Sequence, residues 1–171
     1  MTVSDYIIEY LEGIGVEHVV TVSGGGSIFL CDALQRAKKM KYVCCHHEQA
    51  AGYAAEAYAR IRGFGVCLVT SGPGGTNAVS ACASAWLDSV PVLFISGQAF
   101  KNQTIRGHAG LRQLGVQEIN IIDIVRDITK FSTVVDGYIE GVMRHSCREA
   151  TSGHKGPVWL DIPGDIQNAR I

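Results

Sequence analysis

The chain has 171 residues, of which 47% are hydrophobic, and this length and composition suit one domain with a sizeable apolar core. Its 15 basic and 16 acidic side chains give a net charge of −1, which removes the electrostatic basis for binding nucleic acid or an anionic membrane surface. No apolar run approaches the roughly 20 residues that a membrane-spanning helix needs.

The first elements alternate between helix and strand. Apolar residues at helical spacing predict an amphipathic helix over residues 3–14, followed by a strand over 18–22 and a helix over 28–39. Between the last two lies the turn Ser-Gly-Gly-Gly-Ser at residues 23–27, whose glycines let a ligand approach the backbone closely. The turn lacks phosphate-loop and dinucleotide spacing, so a tight turn without a ligand is the alternative interpretation.

A short apolar strand that begins at Tyr42 runs directly into an alanine-rich helix predicted over residues 49–60. Glu48 lies at the junction, at the carboxyl end of the strand, and open α/β sheets bind their ligands at that edge. The carboxylate should therefore point into a crevice. On position alone, an acid in the first turn of a helix also simply complements the helix dipole.

We expect no metal site. His46 and His47 are poor joint ligands, because adjacent residues of a strand point to opposite faces. The six cysteines have no zinc-type spacing and form no Cys-x-x-Cys pair. With no signal peptide at the N-terminus, we expect mostly buried, reduced thiols in a cytoplasmic protein.

A third strand-to-helix connection follows. Residues 66–70 predict a strand, and residues 71–77, Ser-Gly-Pro-Gly-Gly-Thr-Asn, predict a sharp turn in which Thr76 or Asn77 caps a helix over 78–88. Small residues dominate this helix and the preceding one. They indicate either a tight helix–helix contact or ordinary packing against the sheet.

The second half of the chain continues the alternation after one long connection. Residues 92–96 predict a strand, and residues 97–118 show no clear period, which in a compact domain usually means a functional or a disordered segment. The remaining predictions are a short helix over 119–125, an edge strand over 132–135, a helix over 138–151 and a strand over 158–162. The tail, residues 167–171, is predicted to be the start of a linker.

Six apolar strands that alternate with helices predict an α/β fold, with a doubly wound, six-stranded, mostly parallel sheet and helices on both faces. The carboxyl ends of parallel strands lie at one edge of a sheet. We therefore expect the triple-glycine turn, the Glu48 junction and the glycine-proline turn to meet there.

Taken together, the motifs resemble the N-terminal pyrimidine-binding domain of thiamine diphosphate-dependent enzymes, in particular the acetolactate synthase group. The resemblance covers essentially the whole chain, residues 1–171. The segments that carry it are residues 47–56 (His-Glu-Gln-Ala-Ala-Gly-Tyr-Ala-Ala-Glu), 71–77, 88–92 (Asp-Ser-Val-Pro-Val), 95–98, 116–118 (Val-Gln-Glu), 128–130 and 156–163. Each motif alone is weak, but they occur in the order found in the family.

The resemblance implies a role for each matching residue. Glu48 corresponds to the glutamate that hydrogen-bonds a ring nitrogen of the cofactor's aminopyrimidine and favours its imino tautomer. Gln117 corresponds to a glutamine that faces the reacting centre, and these two are the predicted catalytic residues. The predicted cofactor-binding residues, in addition to Glu48, are Gly24, Gly25, Thr70, Pro73 and Asn77.

The resemblance also implies partners that the chain does not contain. The Gly-Asp-Gly motif of the family's diphosphate-binding domain is absent, so the chain can supply only half of an active site. The implied cofactor is thiamine diphosphate, with magnesium held by the other domain. In the acetolactate synthase group, the full enzyme can also bind FAD. The implied substrate is a pyruvate-like 2-oxo acid, and the diphosphate-binding domain would come from a second subunit of a homodimer or tetramer.

Two departures from the family pattern bear on the substrate. Ser23 stands where the first turn usually has proline, and Val116 stands where phenylalanine is common. Because the residue at 116 helps to shape the acceptor pocket, the acceptor can differ from that of acetolactate synthases.

Three alternatives stay open at this point. The chain could be a small separate subunit of a split 2-oxo acid decarboxylase, although its linker-like tail favours an excised domain. It could be a non-catalytic nucleotide- or flavin-binding module that holds phosphate at the triple-glycine turn. It could also be an interaction subunit whose alanine-rich helices serve assembly.

Overall fold

The structure is a computed structural model and describes residues 1–106, 108 and 110–171. Its strands are β1 (His18–Thr21), β2 (Lys41–Cys44), β3 (Gly65–Val69), β4 (Val92–Gln98), β5 (Phe131–Val134) and β6 (Val158–Pro163). Its helices are α1 (Val3–Gly13), α2 (Ile28–Gln35), α3 (Glu48–Arg62), α4 (Pro73–Leu87), α5 (Ile121–Val125), α6 (Ile139–Thr151) and α7 (Gly164–Gln167). Short 3-10 turns cover Gly25–Ser27, Lys101–Gln103 and Arg126–Ile128.

The strands form a six-stranded sheet in the order β2-β1-β3-β4-β6-β5. Every strand pair within the described residues is parallel; for example, Cys67 of β3 lies beside Phe94 of β4, which lies beside Trp159 of β6. The predicted doubly wound α/β fold is confirmed, and β5 lies at an edge as predicted.

Helices cover both faces of the sheet because successive strand residues point to opposite sides. On one face, Leu93 and Ile95 pack with apolar residues of α1, α2 and α6. On the other face, Phe94 and Trp159 pack with residues of α3, α4 and α5. The rings of Phe94 and Trp159 stack with centroids 5.0 Å apart. Burial on both faces explains why the strands read as continuous apolar runs.

The small residues of α3 and α4 let the two helices approach closely. A Cβ atom at Gly52 of α3 would lie only 2.5 Å from the Cβ of Ala81 in α4. The same helix approaches the sheet, because a Cβ at Gly65 of β3 would lie 2.2 Å from the carbonyl oxygen of Ala55. Both interpretations of the small residues therefore hold, since α3 packs tightly on α4 and on the strands.

The predicted start of α4 was wrong. The helix begins at Pro73 and not at residue 78, so Thr76 and Asn77 lie inside it and do not cap it. Gly72 takes the cap position with a positive φ of 55°, and Pro73 occupies the first helical position. Proline suits that position because its missing N–H has no partner in the helix and its φ is preset. Similarly, α2 ends at Gln35 and not at residue 39.

The tail was also predicted wrongly as a linker. Gln167 is fully buried, and its Nε2 donates hydrogen bonds to the carbonyl oxygens of Gly26 and Ile162, both at 2.7 Å. The backbone carbonyl of Ala169 accepts from Val3 N at 2.9 Å, so the tail lies against the first helix. Buried carbonyl groups need donors, and this segment supplies two of them.

The long connection over residues 97–118 begins as the end of β4 and includes the short turn Lys101–Gln103, while Gly107 and Ala109 lie outside the described residues. The six cysteines are free, and burial raises the pKa of the Cys147 thiol to about 12. Cys44 is exposed, because β2 is an edge strand.

In the part of the chain that the structure describes, no helix is long and apolar enough to cross a membrane.

Candidate active site

The topology predicts a crevice at the point where the strand order reverses, between β1 and β3. Strand β1 leads through α2 to β2 on one side, whereas β3 leads through α4 to β4 on the other side. Helix α2 packs in one core cluster and α4 in the other. Because these two connections leave the sheet in opposite directions, their loops separate beyond the carboxyl ends of β1 and β3, where open α/β sheets bind ligands.

Glu48 reaches this crevice from the first turn of α3. The preceding residue, His47, caps the helix, since its Nδ1 accepts a hydrogen bond from Gln49 N at 3.1 Å. The Glu48 side chain is half-buried, and its Oε2 accepts a hydrogen bond from Nδ2 of Asn77 at 3.0 Å. Its Oε1 points to α4 and would lie 3.2 Å from a Cβ at Gly74. Among the described residues no donor is bonded to Oε1, which leaves this oxygen free for a ligand.

Thr70, at the end of β3, joins the other two turns to this carboxylate. Its Oγ1 accepts a hydrogen bond from Gly26 N at 3.0 Å. A Cβ at Gly24 would lie 2.5 Å from the Cβ of Thr70, and a Cβ at Gly74 would lie 2.6 Å from its Cγ2. Glycine is therefore required at 24 and 74 by close approach. A Cβ at Gly25, in contrast, would meet nothing within 4 Å, so this side of the turn is open.

Pro73 and Gln117 lie at the outer rim. Pro73 is exposed at the start of α4. Gln117 is also exposed and has a positive φ of 57°. A Cβ at Gly72 would lie 2.3 Å from the backbone oxygen of Gln117, so the two backbones are in contact. The described contacts join Gln117 to the turn before α4 and not to Glu48.

The structure thus brings most of the predicted site residues to one crevice. Glu48 is linked to Asn77 directly and to Thr70 and Gly24 through the packing around Gly74. Gly74 itself was missed from the sequence. It lies within one of the recognised motifs, but the reason for a glycine there is the approach of Thr70 and Glu48, which sequence spacing does not reveal.

A second missed group is a buried acid near the same edge of the sheet. Asp161 of β6 accepts hydrogen bonds from Ser96 Oγ at 2.6 Å and from Gln98 Nε2 at 2.9 Å. It lines a cavity of about 650 Å³. Burial, with a smaller contribution from the nearby charge of Glu118, raises the pKa of the Asp161 carboxyl to about 7, although the hydrogen bonds from Ser96 and Gln98 lower it. The signal in the sequence was a carboxylate within an apolar strand.

The raised pKa predicts a pH-dependent stability. An ordinary Asp has a pKa near 3.8, so between about pH 4 and 7 the folded chain holds a proton at Asp161 that the unfolded chain has lost. The free energy of unfolding should therefore fall as the pH rises through this window, by roughly 2–3 kcal/mol from about pH 5 to pH 8. Asp161→Asn should remove this fall, which urea unfolding at the two pH values measures.

Asp165→Asn is the matched control, because Asp165 lies on α7 close to β6 but is exposed. It should keep the pH dependence of the wild type. If the free energy of unfolding falls equally between the two pH values in the wild type and in Asp161→Asn, this carboxyl is not the cause of the pH dependence.

Comparison with known proteins agrees with the geometry. Residues 1–124 match the family described as thiamine pyrophosphate enzyme, N-terminal TPP binding domain. The chain is 42% identical over 174 residues to acetolactate synthase 2, chloroplastic, of Nicotiana tabacum, covering 98% of this chain and 25% of that protein. It is 37% identical over 171 residues to the acetolactate synthase isozyme 1 large subunit of Escherichia coli (strain K12), covering 98% of this chain and 29% of that protein.

The chain therefore spans about a quarter of the length of the curated relatives it matches. A third relative, the acetolactate synthase, chloroplastic, of Arabidopsis thaliana, is 41% identical over 170 residues, which are 96% of this chain and 24% of that protein. The resemblance inferred from the ordered motifs is confirmed. The chain belongs to the thiamine pyrophosphate enzymes and matches their N-terminal TPP-binding domain.

Proposed function

We propose that residues 1–171 form the pyrimidine-binding part of a thiamine diphosphate-dependent carboligase or decarboxylase that acts on pyruvate-like 2-oxo acids. The observation that carries the proposal is the half-buried Glu48 carboxylate, with Oε2 held by Asn77 and Oε1 beside Gly74, without a hydrogen-bond donor among the described residues. The similarity to acetolactate synthases supports a carboligation of this type.

The residues present fit the cofactor. Oε1 of Glu48 accepts no hydrogen bond from the described residues, and the backbone around Gly25 is open. Glu48, through Oε1, and the glycine turn would hold the pyrimidine part of the cofactor. When bound, thiamine diphosphate supplies the carbon nucleophile that attacks a 2-oxo acid, together with the electron sink for its decarboxylation.

Each of the predicted site residues then has a distinct role. Glu48 would accept and return a proton at Oε1 for a ring nitrogen of the cofactor, while Asn77 fixes the carboxylate orientation through Oε2. Thr70 fixes the glycine turn through its bond from Gly26 N. Pro73 starts α4 beside the pocket, and the amide of Gln117 faces the reacting groups from the rim.

The other half of the site comes from outside the chain. A diphosphate-binding domain, contributed by a second subunit in a homodimer or tetramer, would hold magnesium and the diphosphate, and FAD is a proposed further cofactor of the full enzyme. Apolar side chains remain exposed on α3 and α4, with Leu87 79% and Ile61 83% exposed, which supports these helices as the subunit interface. The proposed location is the cytoplasm.

Turnover by the full-length protein tests the proposal. Pyruvate should be consumed, with release of carbon dioxide and formation of 2-acetolactate, only when thiamine diphosphate and Mg²⁺ are both added. A series of longer 2-oxo acids as acceptors would define the effect of Val116. Absence of cofactor-dependent decarboxylation across the series would contradict the proposal.

A further inference from the structure

One buried carboxylate organises the segment that carries Gln117. Glu118 is only 6% exposed. Its Oε1 accepts a hydrogen bond from Ile105 N at 2.8 Å, and its Oε2 accepts one from Leu114 N at 3.2 Å. Both donors are backbone amides of the long connection between β4 and α5. A single side chain therefore ties two separate points of this connection together, with charge-assisted bonds that are stronger than neutral ones.

The base of the connection is fixed as well. Gln98, the last residue of β4, donates from Nε2 to the backbone oxygen of Ile119 at 2.9 Å and accepts at Oε1 from Ala99 N at 2.9 Å. A Cβ at Gly115 would lie 2.6 Å from the backbone oxygen of Gln103, so the connection also packs on itself. Inside the connection, Glu118 adds the two hydrogen bonds from Ile105 N and Leu114 N.

Gln117 depends on this arrangement. Its positive φ of 57° is a conformation that residues other than glycine rarely adopt, and such residues keep it only when their surroundings impose it. Gly72 contacts Gln117 through the backbone, and the next residue in the chain, Glu118, is fixed by its two hydrogen bonds. Releasing the carboxylate would let the backbone at 117 relax and carry the Gln117 amide away from the crevice.

We infer that Glu118 is a positioning residue, which holds Gln117 at the start of α4 by binding the backbone amides of Ile105 and Leu114. The inference rests on the proposed function, because it assumes that Gln117 faces the reacting groups. Glu118 is not proposed to touch the cofactor or the substrate, and it acts through the backbone at 117.

Glu118→Gln in the full-length protein tests the inference. Glutamine keeps one acceptor oxygen but turns an NH₂ group toward the second amide, so one of the two bonds is lost. We expect faster hydrogen exchange at Ile105 and Leu114, measured by mass spectrometry. We also expect kcat to fall about tenfold to a hundredfold, as misplaced catalytic groups cause, while the Kd for thiamine diphosphate changes less than about twofold.

Glu12→Gln is the matched control. Oε1 of Glu12 accepts from Lys39 N at 2.7 Å and from Met40 N at 3.0 Å, so it secures a loop by the same chemistry at the opposite end of the strands. Both bonds end on one oxygen, which glutamine retains without the charge, so exchange at these two amides should increase only slightly, while kcat stays at the wild-type value.

A double-mutant cycle separates positioning from general support of the fold. Gln117→Ala should lower kcat, and adding Glu118→Gln to it should lower kcat no further, because the group that Glu118 positions is already gone. An equal further fall would overturn the inference, and so would a wild-type kcat for Gln117→Ala. Unchanged exchange at Ile105 and Leu114 in Glu118→Gln would overturn it independently of any activity.

A variant that does not fold and a failure of the proposed function can each be distinguished from a failure of the inference about Glu118. If Glu118→Gln does not fold, Glu118→Asp keeps the charge with a shorter reach, and a wild-type kcat beside faster loop exchange would overturn the inference. Failure of the full-length protein to decarboxylate any 2-oxo acid would contradict the proposed function, whereas the exchange experiment judges the role of Glu118 in the loop separately.

Discussion

Glu48→Gln is expected to lower the kcat of the full-length enzyme about a hundredfold to ten-thousandfold, the range that proton transfer by a positioned side chain contributes. Glutamine has nearly the same shape, and its oxygen can still accept the hydrogen bond from Asn77. It cannot hold and release a proton at Oε1. The fold should be unchanged, and steady-state kinetics at saturating thiamine diphosphate and Mg²⁺ measure the loss.

Glu140→Gln provides the comparison. Glu140 lies in the first turn of α6, as Glu48 lies in the first turn of α3, but on a helix that packs on the other face of the sheet. Each replacement removes a favourable interaction between a half-buried carboxylate and a helix dipole, worth at most about 2 kcal/mol. Only the change at 48 should affect kcat. Near wild-type kcat values for both variants would show that Glu48 only stabilises its helix through the dipole and has no catalytic role.

Gly97→Ala is expected to reduce the free energy of unfolding by about 3 kcal/mol, at the upper end of the usual cost of overpacking. A Cβ at this position in β4 would lie 2.0 Å from the backbone oxygen of Gly26 and 2.5 Å from Ser27 N. No flexible side chain can yield there, because both contacts are to backbone. The first glycine turn must move away from the sheet, and urea unfolding followed by tryptophan fluorescence measures the cost.

Gly25→Ala is the control for this effect, since Gly25 lies in the same turn and a Cβ there would meet nothing within 4 Å. Its free energy of unfolding should change by no more than about 0.5 kcal/mol. A Gly97→Ala variant as stable as the wild type would show that the turn does not rest on β4 as described.

Much of the fold was predictable from the sequence, because a parallel sheet covered on both faces needs strands that are apolar throughout. The runs around Cys67, Phe94 and Leu160 show this pattern, and all three belong to buried central strands. Helix ends were less predictable. Pro73 at the first position of α4 has a clear local rule, but residues 71–77 also match a turn.

The site was only partly accessible from the sequence. Glu48 and Asn77 lie on different helices, and no local pattern gives the 3.0 Å hydrogen bond between them. The family resemblance predicted only that both residues belong to one cofactor pocket, and not that they form a hydrogen bond. Gly74 and Gly97 could not be explained from sequence, since the groups that exclude a side chain come from other parts of the chain.

The packing of the last residues has a consequence for any attempt to dissect this protein. The amide of Gln167 bonds to the carbonyl oxygen of Gly26, and the backbone of Ile171 donates to that of Met1. Truncation after β6 would leave the Gly26 and Ile162 carbonyls without these donors and would loosen the glycine turn, although the cut is far away in the sequence. A fragment chosen for cofactor-binding studies should therefore retain every residue to 171.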